Sequence, residues 1–329
     1  MRIMTNRPLR TLACGLVAGA AVAVPAGLRA PSAHAAPAAK TFVIGYSQSN
    51  NAEPYRAQLN IQLQHFVKQY HDLKLLPITD AKQSSSLQVS QVQNLIAQHI
   101  DLLIVSPTEP APLTAPVQQA CAKHIPVIIL DRTVNTNCYT AFIGGDNVLI
   151  GRKAGEAAAT LLPNGGNVVE LQGLLSDVPE HERDDGFRSG IASNPKIKII
   201  AAREAKWLKP NAIPIMQQFL ARYKKIDLVY GENDPMALGA YLAASAAGRA
   251  KQIKFIGVDG LAIPDGGIRA VQLGQLARTF IYPTGAKEAA QDAEMILNGK
   301  KVSHHLTLGT QEVTPQNAAT LYAQYQFKG

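Results

Sequence analysis

The chain has 329 residues, 47% hydrophobic and 17% charged, enough apolar material for two cores. Its net charge of +8 is concentrated at the start: the first 35 residues hold four of the 32 basic residues and no acid, leaving 28 basic against 24 acidic residues, a net of +4. That mild balance, with no basic helix and no aromatic-basic cluster, excludes nucleic acid as a partner.

The amino-terminal stretch reads as a secretory signal. Arg2, Arg7 and Arg10 precede an apolar run from Leu12 to Leu28, and Ala33-His34-Ala35 supplies a small-residue cleavage site after Ala35. Pro25 and the high Gly and Ala content argue against a membrane span. Cys14 follows Thr-Leu-Ala, a weak lipoprotein-like context with too short an apolar run before it. From Thr41 on, short apolar runs alternate with helical patterns. Strands are expected near 42–46, 73–78, 102–105, 127–130, 168–171, 197–201, 228–230, 255–258 and 276–280. Helices are expected between them near 54–70, 86–98, 110–123, 147–162, 182–193, 211–222, 235–247, 263–272 and 284–297. Alternation at this spacing specifies parallel sheets with helices on both faces. About nine strands exceed one small sheet, so two doubly wound α/β domains are expected. The chain crosses between them near Ile143–Asn147, where Asp146 can cap the next helix, and again near Tyr282–Gly285. The expected lobes are 40–144 with 283–308, and 145–282 with 309–329. Residues 310 to 329 show little periodicity and are expected on the surface.

The run IPVIILDR from Ile125 to Arg132 is the clearest buried strand, and it ends in an acid beside a base. Ligands of open α/β sheets bind beyond the carboxyl ends of the strands. A carboxylate that accepts next to a guanidinium that donates can grip vicinal hydroxyls; the alternative is an ion pair that caps a neighbouring helix. Other strand ends carry similar groups. The first leads to Glu53, Tyr55 and Arg56, the third to Ser106, and later ones to Glu182-Arg183, Trp207, Asn233-Asp234 and Asp259-Gly260. Each has a plainer reading. Glu53 and Arg56 fit an exposed helical pair, Arg183 a surface charge, Asn233 or Asp234 a helix cap, and Asp259-Gly260 a turn. Recurrence at strand ends of both halves favours two half-sites that face one cleft.

No nucleophile elbow or Walker loop is present, and His304-His305 is the only close histidine pair, so neither an enzyme nor a cofactor or metal site is indicated. An exported enzyme acting on sugars stays the weaker alternative. Export permits a Cys121–Cys138 disulfide, but we read the two as free buried thiols.

Six segments in order resemble the periplasmic sugar-binding proteins of ABC transporters, specifically the ribose-binding-like group. They are Ile125–Arg132, Gly145–Asn147, Val168–Gly173, Glu182-Arg183 with Gly186-Phe187, Asn233–Gly239 and Gly257–Gly260. The resemblance implies a type I periplasmic binding protein: two lobes joined by three crossing strands, monomeric and periplasmic. It closes on a monosaccharide or polyol and delivers it to a membrane permease or, alternatively, to a chemoreceptor or sensor kinase. It implies ligand contacts at Asp131, Arg132, Arg183, Asn233 and Asp259, a stacking ring at Trp207, and an aromatic place kept by Tyr55. Arg56, Glu53, Ser106 and Val258 depart from the ribose pattern, and Tyr282 takes the place of a glutamine. The Gly45–Gln48 start with Glu53 and Arg56 looks more like the galactofuranose-binding branch.

Overall fold

The computed structural model describes Lys40–Gly329, so the signal segment and Cys14 lie outside the described residues. The first half runs β1 (Phe42–Gln48), α1 (Pro54–Val67), β2 (Leu73–Leu75), β3 (Thr79–Asp80), α2 (Ser85–Ala97), β4 (Leu102–Ser106), α3 (Pro110–Ala122), β5 (Val127–Leu130) and β6 (Ala141–Gly145). It continues through α4 (Asn147–Leu161), β7 (Gly166–Gln172), α5 (Val178–Ile191), β8 (Ile197–Glu204), α6 (Lys209–Arg222), β9 (Leu228–Gly231), α7 (Asp234–Ala246) and β10 (Lys254–Ile256). It closes with α8 (Gly267–Gln272), β11 (Thr279–Phe280), α9 (Ala286–Leu297), β12 (His305–Leu308), β13 (Glu312–Val313) and α10 (Ala318–Tyr325).

Two parallel sheets result. The first has the order β12-β6-β5-β4-β1-β2, with β3 beside the end of β1; the second has β10-β9-β7-β8. The uninterrupted apolar character of β4 and β5 follows from burial on both faces, since every residue of each is buried. Strand order reverses at β1/β4 in one sheet and at β7/β9 in the other, the switch points where a crevice opens at the carboxyl ends. The chain passes between the lobes after β6, around Tyr282, and between β12 and β13. Beyond the second crossing, Gly285 adopts φ +70° before α9 begins.

Several expectations need correction. Phe-Ile-Gly-Gly before Asp146 is a buried strand, β6, as well as a crossing, and β12 pairs with it in parallel, His305 opposite Phe142. Asp146 does cap α4, its Oδ1 accepting from the Leu149 N–H at 2.8 Å. Helix α5 starts four residues before the expected Glu182, because Pro179 fits its first turn. Helix α8 starts later than expected, after Pro264 and Gly266. The carboxy-terminal stretch is only partly a surface segment: β13 pairs antiparallel with β11, and Val313, Ala318 and Leu321 are buried in the second core.

The cysteines also differ from expectation. Cys121 and Cys138 form a disulfide with Cα atoms 6.2 Å apart, and Cys138 is exposed. The loop after β5 turns back along the strand, so that the Thr140 N–H donates to the Val127 carbonyl, and this return brings Cys138 to the end of α3.

The tightest helix pair is α4 against α5. A Cβ at Gly151 would lie 2.3 Å from the Arg183 carbonyl oxygen, and one at Gly190 would lie 2.2 Å from that of Arg152. Only glycine allows the two backbones this close.

Candidate functional site

A narrow cavity with only about 20 Å³ of accessible space lies between the carboxyl ends of the two sheets. Every sequence-derived candidate lines it except Ser106, and Pro179 joins them.

The first-lobe wall is built around Arg56, which is 1% exposed on the first turn of α1. Its Nε donates to Glu53 Oε1 at 3.2 Å, its Nη1 to Gln48 Oε1 and Ser106 Oγ at 3.1 and 2.8 Å, and its Nη2 to Asp131 Oδ2 at 2.8 Å. Glu53 and Arg56 are therefore a buried pair, not an exposed helical one. Most of the five guanidinium protons are spent inside the protein, so Arg56 mainly fixes Asp131 and has little left to grip hydroxyls. Ser106 stands behind Arg56 and donates onward to the Leu130 carbonyl.

Asp131 itself has φ +67°, and the Arg132 N–H closes on the Leu130 carbonyl at 2.7 Å, a tight γ-turn in the rare hand. Trp207 and Asp259 also have positive φ, +67° and +121°. Strained backbone of this kind concentrates at ligand clamps. Burial works against the Asp131 charge, but the guanidiniums of Arg56, Arg132 and Arg183 outweigh it and hold the carboxyl below its usual range.

The second-lobe wall is built around Arg183. Its Nε donates to Asn147 Oδ1 at 2.9 Å and its Nη1 to the Glu232 carbonyl at 2.6 Å. The guanidinium lies 4.9 Å from the Tyr282 ring centre and 5.3 Å from that of Trp207. Asn233 is the cap of α7, its Oδ1 accepting from Met236, while its Nδ2 holds the Trp207 carbonyl at 3.0 Å. Buried Asp234 accepts from Gly260 N and Thr279 Oγ1, which fixes the Asp259 turn. Burial and the Asp234 carboxyl push Asp259 well up, against the pull of Arg183. Tyr282 accepts from the Gly145 N–H at 3.2 Å and meets Tyr55 edge to face at 5.4 Å.

Trp207, 3% exposed, faces the cavity and also belongs to the second core. Its Nε1 donates to Asp177 Oδ2 at 3.0 Å. Sequence reasoning missed Asp177 and Pro179, which the expected helix start left in a loop. The Asp-Val-Pro run was the signal that could have placed them.

Three guanidiniums (Arg56, Arg132, Arg183) thus face three carboxyl groups (Glu53, Asp131, Asp259) between aromatic rings. No metal-binding group of acids, histidines or cysteines occurs among the described residues. His304 and His305 instead stack on Tyr139 and Phe142.

Residues 44–317 match the model of the periplasmic binding protein domain. The chain belongs to this family. The ribose import binding protein of Salmonella typhimurium LT2 is 33% identical, over 69% of this chain and 76% of that protein. Among solved structures, the fructose-binding periplasmic domain of a hybrid two-component system matches with TM-score 0.83 and 37% identity, covering 86% of this chain and 94% of that one. A solute-binding protein from Bacillus halodurans C-125 with bound myo-inositol matches with TM-score 0.81 and 28% identity, covering 88% of this chain and all of that one. As a periplasmic binding protein, the chain has two α/β lobes.

Proposed function

We propose that this protein is an exported, periplasmic solute-binding protein. It closes on one neutral monosaccharide or polyol and hands it to the permease of an ABC transporter. The lobes in this reading are 40–144 with 283–308 and 145–282 with 309–329. The observation that carries the reading is the makeup of the cavity: guanidinium donors and carboxyl groups stand around a small space with aromatic walls. A sugar ring has apolar C–H faces for the rings and a hydroxyl edge for the ions. Asp131 and Arg132 grip from one lobe, and Arg183, Asn233 and Asp259 from the other. Trp207 covers one ring face and Tyr55 with Tyr282 the opposite side. Arg56, Glu53 and Ser106 hold the first-lobe half in shape. No reaction is assigned to the site.

The similarity to a sensor's fructose-binding domain supports a second reading, in which the same closed form signals to a receptor. The test of the first reading is a thermal-shift screen of mature protein against neutral monosaccharides, polyols, inositols and their acidic and amino analogues. A ligand that binds only the folded state raises stability by RT ln(1 + [L]/Kd). We expect a neutral compound to raise the midpoint and its uronic acid to leave it unmoved. A preference for charged analogues would sink the reading.

A further inference from the structure

Asp177 is fully buried just before α5, yet it does not line the cavity. One oxygen, Oδ2, meets two groups that do. It lies 3.1 Å from Arg132 Nε and accepts from Trp207 Nε1 at 3.0 Å. Arg132 comes from the end of β5 in the first lobe, while Trp207 and Asp177 come from the second. The other acids near Arg132 stand farther off, Glu53 at 3.8 Å and Asp131 at 3.9 Å. In this closed arrangement the nearest counter-charge of Arg132 therefore belongs to the opposite lobe. A second lobe-to-lobe bond, from Gln83 Nε2 to the Lys206 carbonyl, lies at the exposed rim, where water competes with it.

We propose that Asp177 is the latch of the closed form: a positioning residue that sets how long the solute stays bound. The inference rests on reading the cavity as the solute site. The geometry gives the latch two effects. Closing pairs Arg132 with Asp177 out of water, and opening separates and rehydrates both. The same carboxylate fixes the indole, so the ring that covers the solute is held only when its own anchor is in place. Removing one partner of a buried pair leaves the other charge uncompensated, and such losses fall on the dissociation rate. The open form, in which Arg132 and Asp177 are apart, has no such pair to lose.

The experiment compares wild type with Asp177→Asn, whose amide oxygen can still accept from Trp207. D-ribose, D-fructose, D-galactose and myo-inositol serve as probes in stopped-flow tryptophan fluorescence. The expected result for a probe that binds is a dissociation rate raised by about tenfold or more, with the association rate within about threefold of wild type. The ligand-free melting point should stay at its wild-type value, which a merely structural role would not allow. Equal dissociation rates, or a loss confined to association, would overturn the latch. Single-molecule energy transfer between labels at the exposed positions Leu87 and Leu242 gives a ligand-free reading. There the variant should show a smaller closed fraction, and an equal fraction overturns the latch. If no probe binds wild type, the proposed solute class fails, and the closed fraction alone decides on Asp177.

Discussion

Arg183 and Arg56 carry the same charge at similar burial, but their surroundings assign them different work. Arg183 lies across from Asp131 and packs against two aromatic rings, with protons left to face the cavity. Replacing it by alanine should weaken solute binding about a hundredfold, roughly 2.8 kcal/mol. Titration calorimetry on the folded variant checks this, and near-wild-type affinity would remove Arg183 from the site. Strand-end reasoning found both arginines because a switch-point crevice admits few other places for charge. It could not separate a side chain that faces the cavity from one that braces it. Ser106 has the right residue type at the right strand end and still points to Arg56. Asp177 escaped for the opposite reason: no strand ends there, and its two partners come from distant parts of the chain.

Elements were legible where their pattern was long. The buried strands β4 and β5 and the Asp146 cap follow from composition and spacing alone. Strands β6 and β12 did not announce themselves. The first ends in two glycines, and the second alternates exposed and half-buried residues at a sheet edge. Pairing of β6 with β5 and of β12 with β6, which no local pattern encodes, makes both strands. The disulfide is a case of the same kind, since the return of the loop after β5 decides it. The bridge closes a span of 17 residues between α3 and that loop. A constraint on a loop of this length stabilises by about 3 kcal/mol in the chain-entropy account. Cys138→Ser should accordingly lower the melting midpoint by several degrees while solute affinity stays unchanged, because the bridge sits at the end of β5 away from the cavity. An unchanged midpoint under reducing and oxidising conditions would contradict this.

At the scale of the molecule, the second lobe stores acid. Glu170 and Glu232 are fully buried beneath the site. Burial, then the neighbouring carboxyls, push both well above the carboxylate range. Burial likewise raises Glu180 and Asp234 to about 7. An unfolded chain releases these protons near pH 4, whereas the folded one keeps them longer, so folding binds protons between about pH 4 and 7. Stability must then fall as pH rises through that window. Asp131 has the opposite sign: its depressed value lends stability above the unfolded range that is lost as the solution becomes more acidic. The ligand-free protein should therefore melt higher at pH 5 than at pH 8. Glu232→Gln should flatten the decline, because its amide can still accept from Gly173. A midpoint that rises steadily from pH 5 to 8 would show that these groups ionise freely in the fold.

The near contact of α4 and α5 has a mechanical meaning. Helix α4 starts two residues beyond the crossing at Gly145, and the Arg183 backbone rests directly on Gly151. A rotation of the chain at that crossing therefore reaches the cavity-lining guanidinium through two rods in backbone contact, without a compliant side-chain layer between. The pair works as a crank with little play. The aperture between the lobes and the aim of Arg183 are then a single degree of freedom.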